Sequence, residues 1–300
     1  MGSIVETLVQ VTNRAWELRG MSTFLLIKIS KLLTIIFFQT DKRTDGWFLT
    51  ESPLTTVLIS LTYIFGVKVV GPKFMANRAV FELRGVLLMY NVFQIFFNGY
   101  IFYETCRLSW FNGYSLICQP VDYSINEDAL QLVTVGYCFY ISKFIDFFDT
   151  IFFVLRKKNN QITFLHIFHH SVMPLSVWIC FRFIVGGHCC FFVTLNSLVH
   201  VIMYFYYMLA AMGPRFQKYL WWKKYVTVFQ MVQFVAVGLH SIQLLFIECD
   251  FPTAFSWWSV VQALLFFNLF KNFHSKTYRK NENLPSNSMY ISDPVPKKVL

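Results

Sequence analysis

The sequence predicts an all-α membrane protein with seven transmembrane helices. Of its 300 residues, 56% are hydrophobic and only 14% are charged, and Phe alone occurs 35 times, which is far from the composition of soluble proteins. Apolar stretches near membrane-spanning length recur along the chain, and short polar or charged connections separate them. No hydrophilic stretch is long enough to form a separate soluble domain, so we expect one membrane domain over residues 54–274.

The predicted spans follow one another from residue 54. They cover residues 54–70, 85–106, 130–155, 164–184, 190–212, 225–247 and 254–273. In the segment 1–53 before them, the apolar stretch 24–38 is interrupted by Lys28 and Lys31 and lacks an Ala-x-Ala-like exit. This pattern favours an interfacial amphipathic helix over a signal peptide.

The net charge of +10 is unevenly distributed along the chain. Bases concentrate in the first, third and fifth connections and in the tail 275–300, whereas the second and sixth connections are mostly acidic. The positive-inside rule therefore predicts that the basic connections and the C-terminus lie in the cytosol and that segment 1–53 begins on the lumenal side, although the bases of that segment favour the cytosol. Because topology accounts for the charge, nucleic acid is not an expected partner.

Two further features bear on the compartment. Lys297 and Lys298 stand third and fourth from the end, which resembles a dilysine retrieval signal read from the cytosol. This pair predicts a multi-pass protein of the endoplasmic reticulum membrane. Cys118 and Cys249 both lie in connections assigned to the lumen, where disulfides persist.

Ionisable residues inside the third predicted span are costly in a bilayer and therefore mark a candidate site. Helical spacing puts Lys143, Asp146 and Thr150 on one face, with Asp149 to one side. A buried ion pair that only fixes helix packing explains this segment about as well as a functional role does.

The fourth span opens with His166, His169 and His170, whose spacing projects three imidazoles from one helical face. The arrangement is typical of metal ligation or of nucleophilic and acid–base chemistry. A di-iron lipid oxidase would use several histidine boxes, but the chain has seven histidines and no second box. The metal alternative is therefore disfavoured, and no metal is expected.

Polar residues continue into the next two spans. Asn196, His200, Met203 and Tyr207 fall on one stripe of the fifth span, and Gln230 and Gln233 lie in the sixth. Glutamines can simply join helices by hydrogen bonds, but polar groups in four consecutive spans are better explained by one shared site. A seven-span receptor or transporter would explain the number of spans and leave these motifs unexplained.

Together these motifs resemble the very-long-chain fatty-acid elongases. The resemblance rests on four motifs in order, and it extends over about residues 45–279, including Asn91 and the segment 220–225. Residues 152–158 are similar to the subgroup that elongates saturated and monounsaturated chains. Asp146 departs from the family pattern, which usually has Glu at this position.

The resemblance implies a 3-oxoacyl-CoA synthase, which condenses acyl-CoA with malonyl-CoA and releases CO2 and CoA. It implies seven helices, six of them ringed around an acyl-binding tunnel that is closed at the lumenal side. It also implies no cofactor, a disulfide between Cys118 and Cys249, and as partners the reductases and dehydratase of the elongation cycle or a second copy of the chain.

The residues suit this chemistry. No cysteine falls among the four motifs, which leaves histidine as the nucleophile candidate. We expect His169 to form an acyl-imidazole and His200 to assist it, while the other polar side chains position the thioester and stabilise oxyanions; these are His166, His170, Asn196, Gln230 and Gln233. At the cytosolic mouth, CoA phosphates are expected to meet Lys157, Lys158, Lys223 and Lys224.

Overall fold

The computed structural model describes residues 40–279, and the regular secondary structure in this part of the chain is entirely helical, without a strand. The long helices are α1 (Pro53–Met75, with a π-helical turn at Gly66–Val70), α2 (Arg84–Leu108), α3 (Glu127–Ile145), α4 (Phe147–Leu155), α5 (Phe164–Ile184), α6 (Cys190–Ala211), α7 (Lys223–Ile242) and α8 (Thr253–His274). Short 3-10 turns occupy several of the connections. The predicted amphipathic helix at 24–38 and the dilysine pair Lys297 and Lys298 lie outside the described residues.

Six helices in this part of the chain are long and apolar enough to cross a membrane, namely α1, α2, α5, α6, α7 and α8. They coincide with six of the predicted spans, which confirms a multi-pass membrane protein. The remaining predicted span, 130–155, is not one continuous helix. It is divided into α3 and α4, which meet at Asp146.

Capping side chains mark the starts of three of the helices. Asn126 caps α3 by accepting a hydrogen bond from the Ala129 amide at 2.8 Å, and Thr163 caps α5 by accepting from the His166 amide at 3.2 Å. Ser52 accepts from Leu54 at the start of α1. The Thr163 cap fixes the first turn of α5, so the histidine triple begins at a defined helical position.

Packing contacts connect six helical units in a closed circuit. α2 packs against α3 and most extensively against α6, α6 packs against α7, α7 against α8, α8 against α5, and α5 against α3. α1 packs on α5 from outside this circuit. The polar residues predicted from the sequence therefore lie on helices that are neighbours in space.

One end of the helices gathers the basic connections, and we call it the basic end. The Phe81 amide donates to the carbonyl of Leu155 at 3.2 Å, and the Arg84 guanidinium donates to the carbonyl of Met212. These contacts join the connection after α1 to those after α4 and α6. The connections predicted to share the cytosolic side are thus grouped together.

The opposite end holds the disulfide, and we call it the disulfide end. Cys118 and Cys249 are bonded across 131 residues of sequence, with their Cα atoms 5.7 Å apart. The Tyr123 hydroxyl donates to the carbonyl of Phe183 at 3.0 Å at the same end. The second connection is therefore held to the last turn of α5 and to the sixth connection.

The turn from α5 into α6 depends on glycine. Gly186 and Gly187 have φ values of +94° and +55°, and a Cβ at Gly187 would lie 2.9 Å from the carbonyl oxygen of Pro120. This tight connection places His188 and Cys189 directly before α6, at the disulfide end.

Candidate active site

Asp146 lies at the break between α3 and α4, and it is 2% exposed. Its Oδ2 atom lies 3.7 Å from Lys143 Nζ. On its other side, Gln94 Nε2 donates to Oδ1 at 2.8 Å. Because two helices converge on one carboxylate, a buried charge is paired and hydrogen-bonded rather than isolated.

Lys143 joins α3 to α6. Its ammonium group donates to Asn196 Oδ1 at 3.0 Å and lies 4.3 Å from the centre of the Phe139 ring. Lys143 is 3% exposed, and its contacts with the amide, the carboxylate and the ring replace lost hydration. Asn196 thereby turns its carbonyl oxygen to the lysine and keeps its amide hydrogens free for other acceptors.

Tyr204 links α6 to both halves of the broken span. Its hydroxyl oxygen lies 2.9 Å from Asp146 Oδ1 and 2.8 Å from Asp149 Oδ2, and Gln94 donates to it at 2.9 Å. Tyr90 completes the group by donating to the carbonyl of Ile145 at 3.3 Å, next to the break. These contacts hold the break in one geometry.

The histidine triple lies on the first turns of α5. His166 Nε2 is 2.8 Å from Thr150 Oγ1, which in turn is 2.6 Å from the Tyr63 hydroxyl. The centre of the His170 ring lies 4.2 Å from that of His166 and 5.4 Å from that of His169. The three imidazoles therefore form one contiguous group, as their spacing predicts.

His169 and His170 have no hydrogen-bond partner among residues 40–279. The His169 ring instead lies against the apolar rings of Phe266 and Phe270, with centroid distances of 5.1 and 6.4 Å. One turn further on, Pro174 lacks the amide that would bond the carbonyl of His170. His169 thus has an uncommitted ring nitrogen in apolar surroundings.

His200 lies on α6 beside the carboxylate group and is 6% exposed. Its Nδ1 atom lies 4.0 Å from Asp146 Oδ2 and has no hydrogen-bond partner in the described part of the chain. The structure therefore brings the first and third motifs together, and the contact of Thr150 with His166 adds the second.

The two glutamines of α7 differ in their surroundings. Gln230 Nε2 donates to the Met203 sulfur at 3.5 Å, which is a weak bond. Gln233 is 5% exposed, and its amide forms no hydrogen bond within residues 40–279. Both amides are available as donors to a bound oxyanion.

Sequence reasoning missed part of the site. Gln94 and Tyr90 were not predicted, although their spacing with Asn98 marks a polar face of α2 that was visible in the sequence. Tyr207, which was predicted on the polar stripe of α6, is 36% exposed, and the centre of its ring lies 5.9 Å from that of Tyr204. Tyr204, one helical position away from that stripe, is the tyrosine that contacts the carboxylates.

The predicted CoA-binding lysines lie apart from this group. Lys157 and Lys158 follow α4, and Lys223 and Lys224 begin α7. Lys157, Lys223 and Lys224 are exposed. All four belong to the basic end.

Residues 40–279 contain no group of three His, Cys, Asp or Glu side chains that could hold a metal ion. The arrangement instead offers an uncommitted imidazole, a second histidine beside a carboxylate, and amide donors. A group of this kind can perform nucleophilic attack with proton transfer and oxyanion stabilisation.

Fold and site together define a multi-pass membrane protein with a buried histidine and carboxylate site assembled from several helices. A family model described as ELO, the GNS1/SUR4 family, matches residues 48–286. The chain belongs to this family.

Curated proteins similar to this chain carry elongase names. A very long chain fatty acid elongase of Aedes aegypti is 50% identical over 80% of this chain and 67% of its own length. Very long chain fatty acid elongase 7 of Drosophila melanogaster is 50% identical over 81% of this chain and 74% of its own length. The rat elongase 7 is 46% identical over 82% of this chain and 88% of its own length.

Proposed function

We propose that this protein is a very-long-chain fatty acyl-CoA elongase that condenses acyl-CoA with malonyl-CoA to 3-oxoacyl-CoA, CO2 and CoA. The observation that carries this function is membership of the ELO family, with elongases as relatives at 46–50% identity. The protein is accordingly an acyltransferase. The site gives this activity a specific chemical route.

In the first step, a ring nitrogen of His169 attacks the carbonyl carbon of the acyl thioester. The carbon–sulfur bond breaks, CoA leaves with a proton, and an acyl-imidazole remains. The absence of a hydrogen-bond partner on His169 within residues 40–279 supports this role, because its lone pair is not engaged by the protein. His166 and His170 position the thioester beside it.

In the second step, malonyl-CoA loses CO2, and the electron pair of the broken carbon–carbon bond forms an enolate. The enolate carbon attacks the acyl carbon, the carbon–nitrogen bond breaks, and His169 is reprotonated. His200 serves as the acid–base group, which its position 4.0 Å from Asp146 supports. The amide hydrogens of Asn196, Gln230 and Gln233 donate to the developing oxyanions.

The acidic and basic groups around Asp146 have a supporting role. Lys143, Asp146 and Asp149 hold α3, α4 and α6 in the geometry that the histidines need. This role is supported by their burial, since buried charges orient neighbouring groups strongly. They position the catalytic histidines and do not contact the reacting atoms.

The helical circuit surrounds a tunnel for the acyl chain. In this arrangement α3 and α4 together cross the bilayer as the seventh span, and α1 lies outside the six units that enclose the tunnel. The closed circuit of packing contacts among the six helical units supports this arrangement. The acyl chain enters at the basic end and extends toward the disulfide end.

The basic end faces the cytosol in the endoplasmic reticulum membrane, as does the C-terminus. The grouping of basic connections at one end and of the disulfide at the other supports this orientation. Lys157, Lys158, Lys223 and Lys224 then bind the CoA phosphates, and Lys297 and Lys298 serve retrieval.

The reaction needs no cofactor or metal, because the thioester and the malonyl carboxylate supply all the atoms and electrons. The product is a 3-oxoacyl-CoA, which reductases and a dehydratase would process. We propose these enzymes as partners, together with a second copy of the chain.

The function is tested with purified protein, a saturated acyl-CoA and radiolabelled malonyl-CoA. We expect a labelled product two carbons longer, undiminished after treatment with a metal chelator. The matched variants are His169→Ala, which should be inactive, and His274→Ala, which changes a histidine at the end of α8 and should be active. Absence of an elongated product with the unchanged protein refutes the function, and loss of activity with the chelator favours a metal-dependent enzyme.

A further inference from the structure

A small cavity lies between α6, α7 and α8 at the disulfide end, away from the catalytic group. We call it the histidine–serine cavity, after His188, His240 and Ser256 in its wall. Phe192 and Phe255 form part of the apolar wall of the cavity. Polar groups buried inside a membrane protein are costly unless they have partners.

Three polar atoms of this cavity have no partner within residues 40–279. They are His188 Nδ1, His240 Nε2 and Ser256 Oγ, and all three atoms are buried. His188 is 4% exposed and Ser256 is 2% exposed. Such atoms indicate a missing polar group, since buried polar atoms in proteins are otherwise nearly always hydrogen-bonded.

The tautomer of His188 indicates which kind of polar group would pair with the unpartnered atoms of the cavity. His188 Nε2 lies 2.9 Å from the carbonyl oxygen of His240, and a carbonyl can only accept, so this nitrogen carries the hydrogen. In a neutral ring, His188 Nδ1 is then an acceptor. Ser256 can both donate and accept. The cavity therefore suits a group that donates one hydrogen bond and accepts another.

The cavity continues the faces that carry the active site. On α6, Phe192 precedes Asn196 and His200 at four-residue intervals, so it lies about 12 Å from His200 along the helix. On α8, Phe255 lies eleven residues, or three turns, before Phe266, which contacts His169. One face of α6 and one face of α8 therefore each extend from the catalytic histidines to the cavity.

We propose that the histidine–serine cavity binds a hydroxyl group at the ω-end of an acyl chain, so that ω-hydroxyacyl-CoA is a substrate class of this protein. The inference rests on the proposed elongase function. A hydroxyl donates to His188 Nδ1 and accepts from Ser256, and its oxygen lies beside His240. A methyl end offers neither bond and leaves these atoms unpartnered.

The test compares kcat/KM for ω-hydroxyacyl-CoA and unmodified acyl-CoA over a series of matched chain lengths. We expect the ratio of the two values to rise at the length whose end reaches the cavity. The change Ser256→Ala should lower that ratio about tenfold, because it removes one hydrogen bond to the hydroxyl. Ser60→Ala is the matched control, since Ser60 is also a buried serine without a partner but lies on α1.

Each outcome has a distinct meaning. If the ratio of the two kcat/KM values is the same at every chain length, the inference is overturned. It is also overturned if Ser256→Ala changes this ratio no more than Ser60→Ala does. In either case water fills the cavity. Failure of the unchanged protein to elongate unmodified acyl-CoA overturns the proposed function itself, and the inference with it. Elongation of unmodified chains without a hydroxyl preference overturns the inference alone.

Discussion

The Tyr204 hydroxyl lies 2.9 Å from Asp146 and thereby connects α6 to the break between α3 and α4. The same oxygen lies 2.8 Å from Asp149. A hydroxyl has one hydrogen, so it can donate fully to one of the two carboxyl groups at a time. Two acidic groups on either side of a helix break are thus organised by one side chain from another helix.

Tyr204→Phe removes this hydroxyl and retains the ring. We expect kcat to fall about tenfold or more with a smaller change in KM, since the carboxylates lose a charge-assisted hydrogen bond and the histidines lose their alignment. Steady-state kinetics measure both constants. Tyr206→Phe is the control, because Tyr206 is also buried but packs on Trp222 and has no hydrogen bond among the described residues. Equal effects of the two changes would exclude a positioning role for Tyr204.

Lys143 and Asp146 form a buried pair, which predicts strong coupling between them. Lys143→Met or Asp146→Asn alone should destabilise the protein by about 3–5 kcal/mol, because each leaves a buried partner uncompensated. The double variant should lose less than the sum of the two. Unfolding in detergent measures this cycle. Additive losses would show that the two side chains are energetically independent.

The disulfide predicts a stability effect that is independent of the active site. Cys118→Ser and Cys249→Ser should each lower the free energy of unfolding by up to about 5 kcal/mol, because the bond closes a loop of 131 residues. The double variant should lose no more than either single one. Cys138→Ser serves as the control, since Cys138 is a free thiol. Mass mapping under non-reducing conditions that finds Cys118 and Cys249 as free thiols would contradict the bond.

Residues near the disulfide end should set the longest product. Phe192 packs on Phe139 with a ring distance of 5.6 Å, whereas Phe191 stacks on His240 at 4.0 Å. Phe192→Ala should lengthen the product by opening the wall, and Phe192→Trp should shorten it. The same direction is expected, with smaller shifts, for Phe191 and Leu195. Product profiles by chain length test this, and unchanged profiles for all three positions would mean that the acyl chain runs elsewhere.

Much of the fold was predictable because membrane spans depend on long apolar stretches. Six spans match their predicted positions within a few residues, since a single pattern of composition determines them. The break at Asp146 was not predicted. From helical spacing alone, Lys143 and Asp149 are expected in one continuous helix. Spacing cannot indicate the break, because side chains of α2 and α6 stabilise it.

The site was predictable where ionisable residues stood out against an apolar background. The histidine triple and the pair of Lys143 with Asp146 are of this kind. Gln94 was missed because a neutral amide in a span is easily taken for a helix contact, and its role depends on α2 packing beside α3. Helical spacing also could not determine which of Tyr204 and Tyr207 contacts the carboxylates, since the rotation of α6 about its axis is set by the neighbouring helices.

The central claim is that His169 is the nucleophile that carries the acyl group. The most direct measurement is mass spectrometry of the protein after incubation with acyl-CoA alone, with His169→Ala as the comparison. We expect one acyl group bound to His169, released when malonyl-CoA is added, and none on the variant. An adduct on another residue, or acylation that requires malonyl-CoA, would contradict the account.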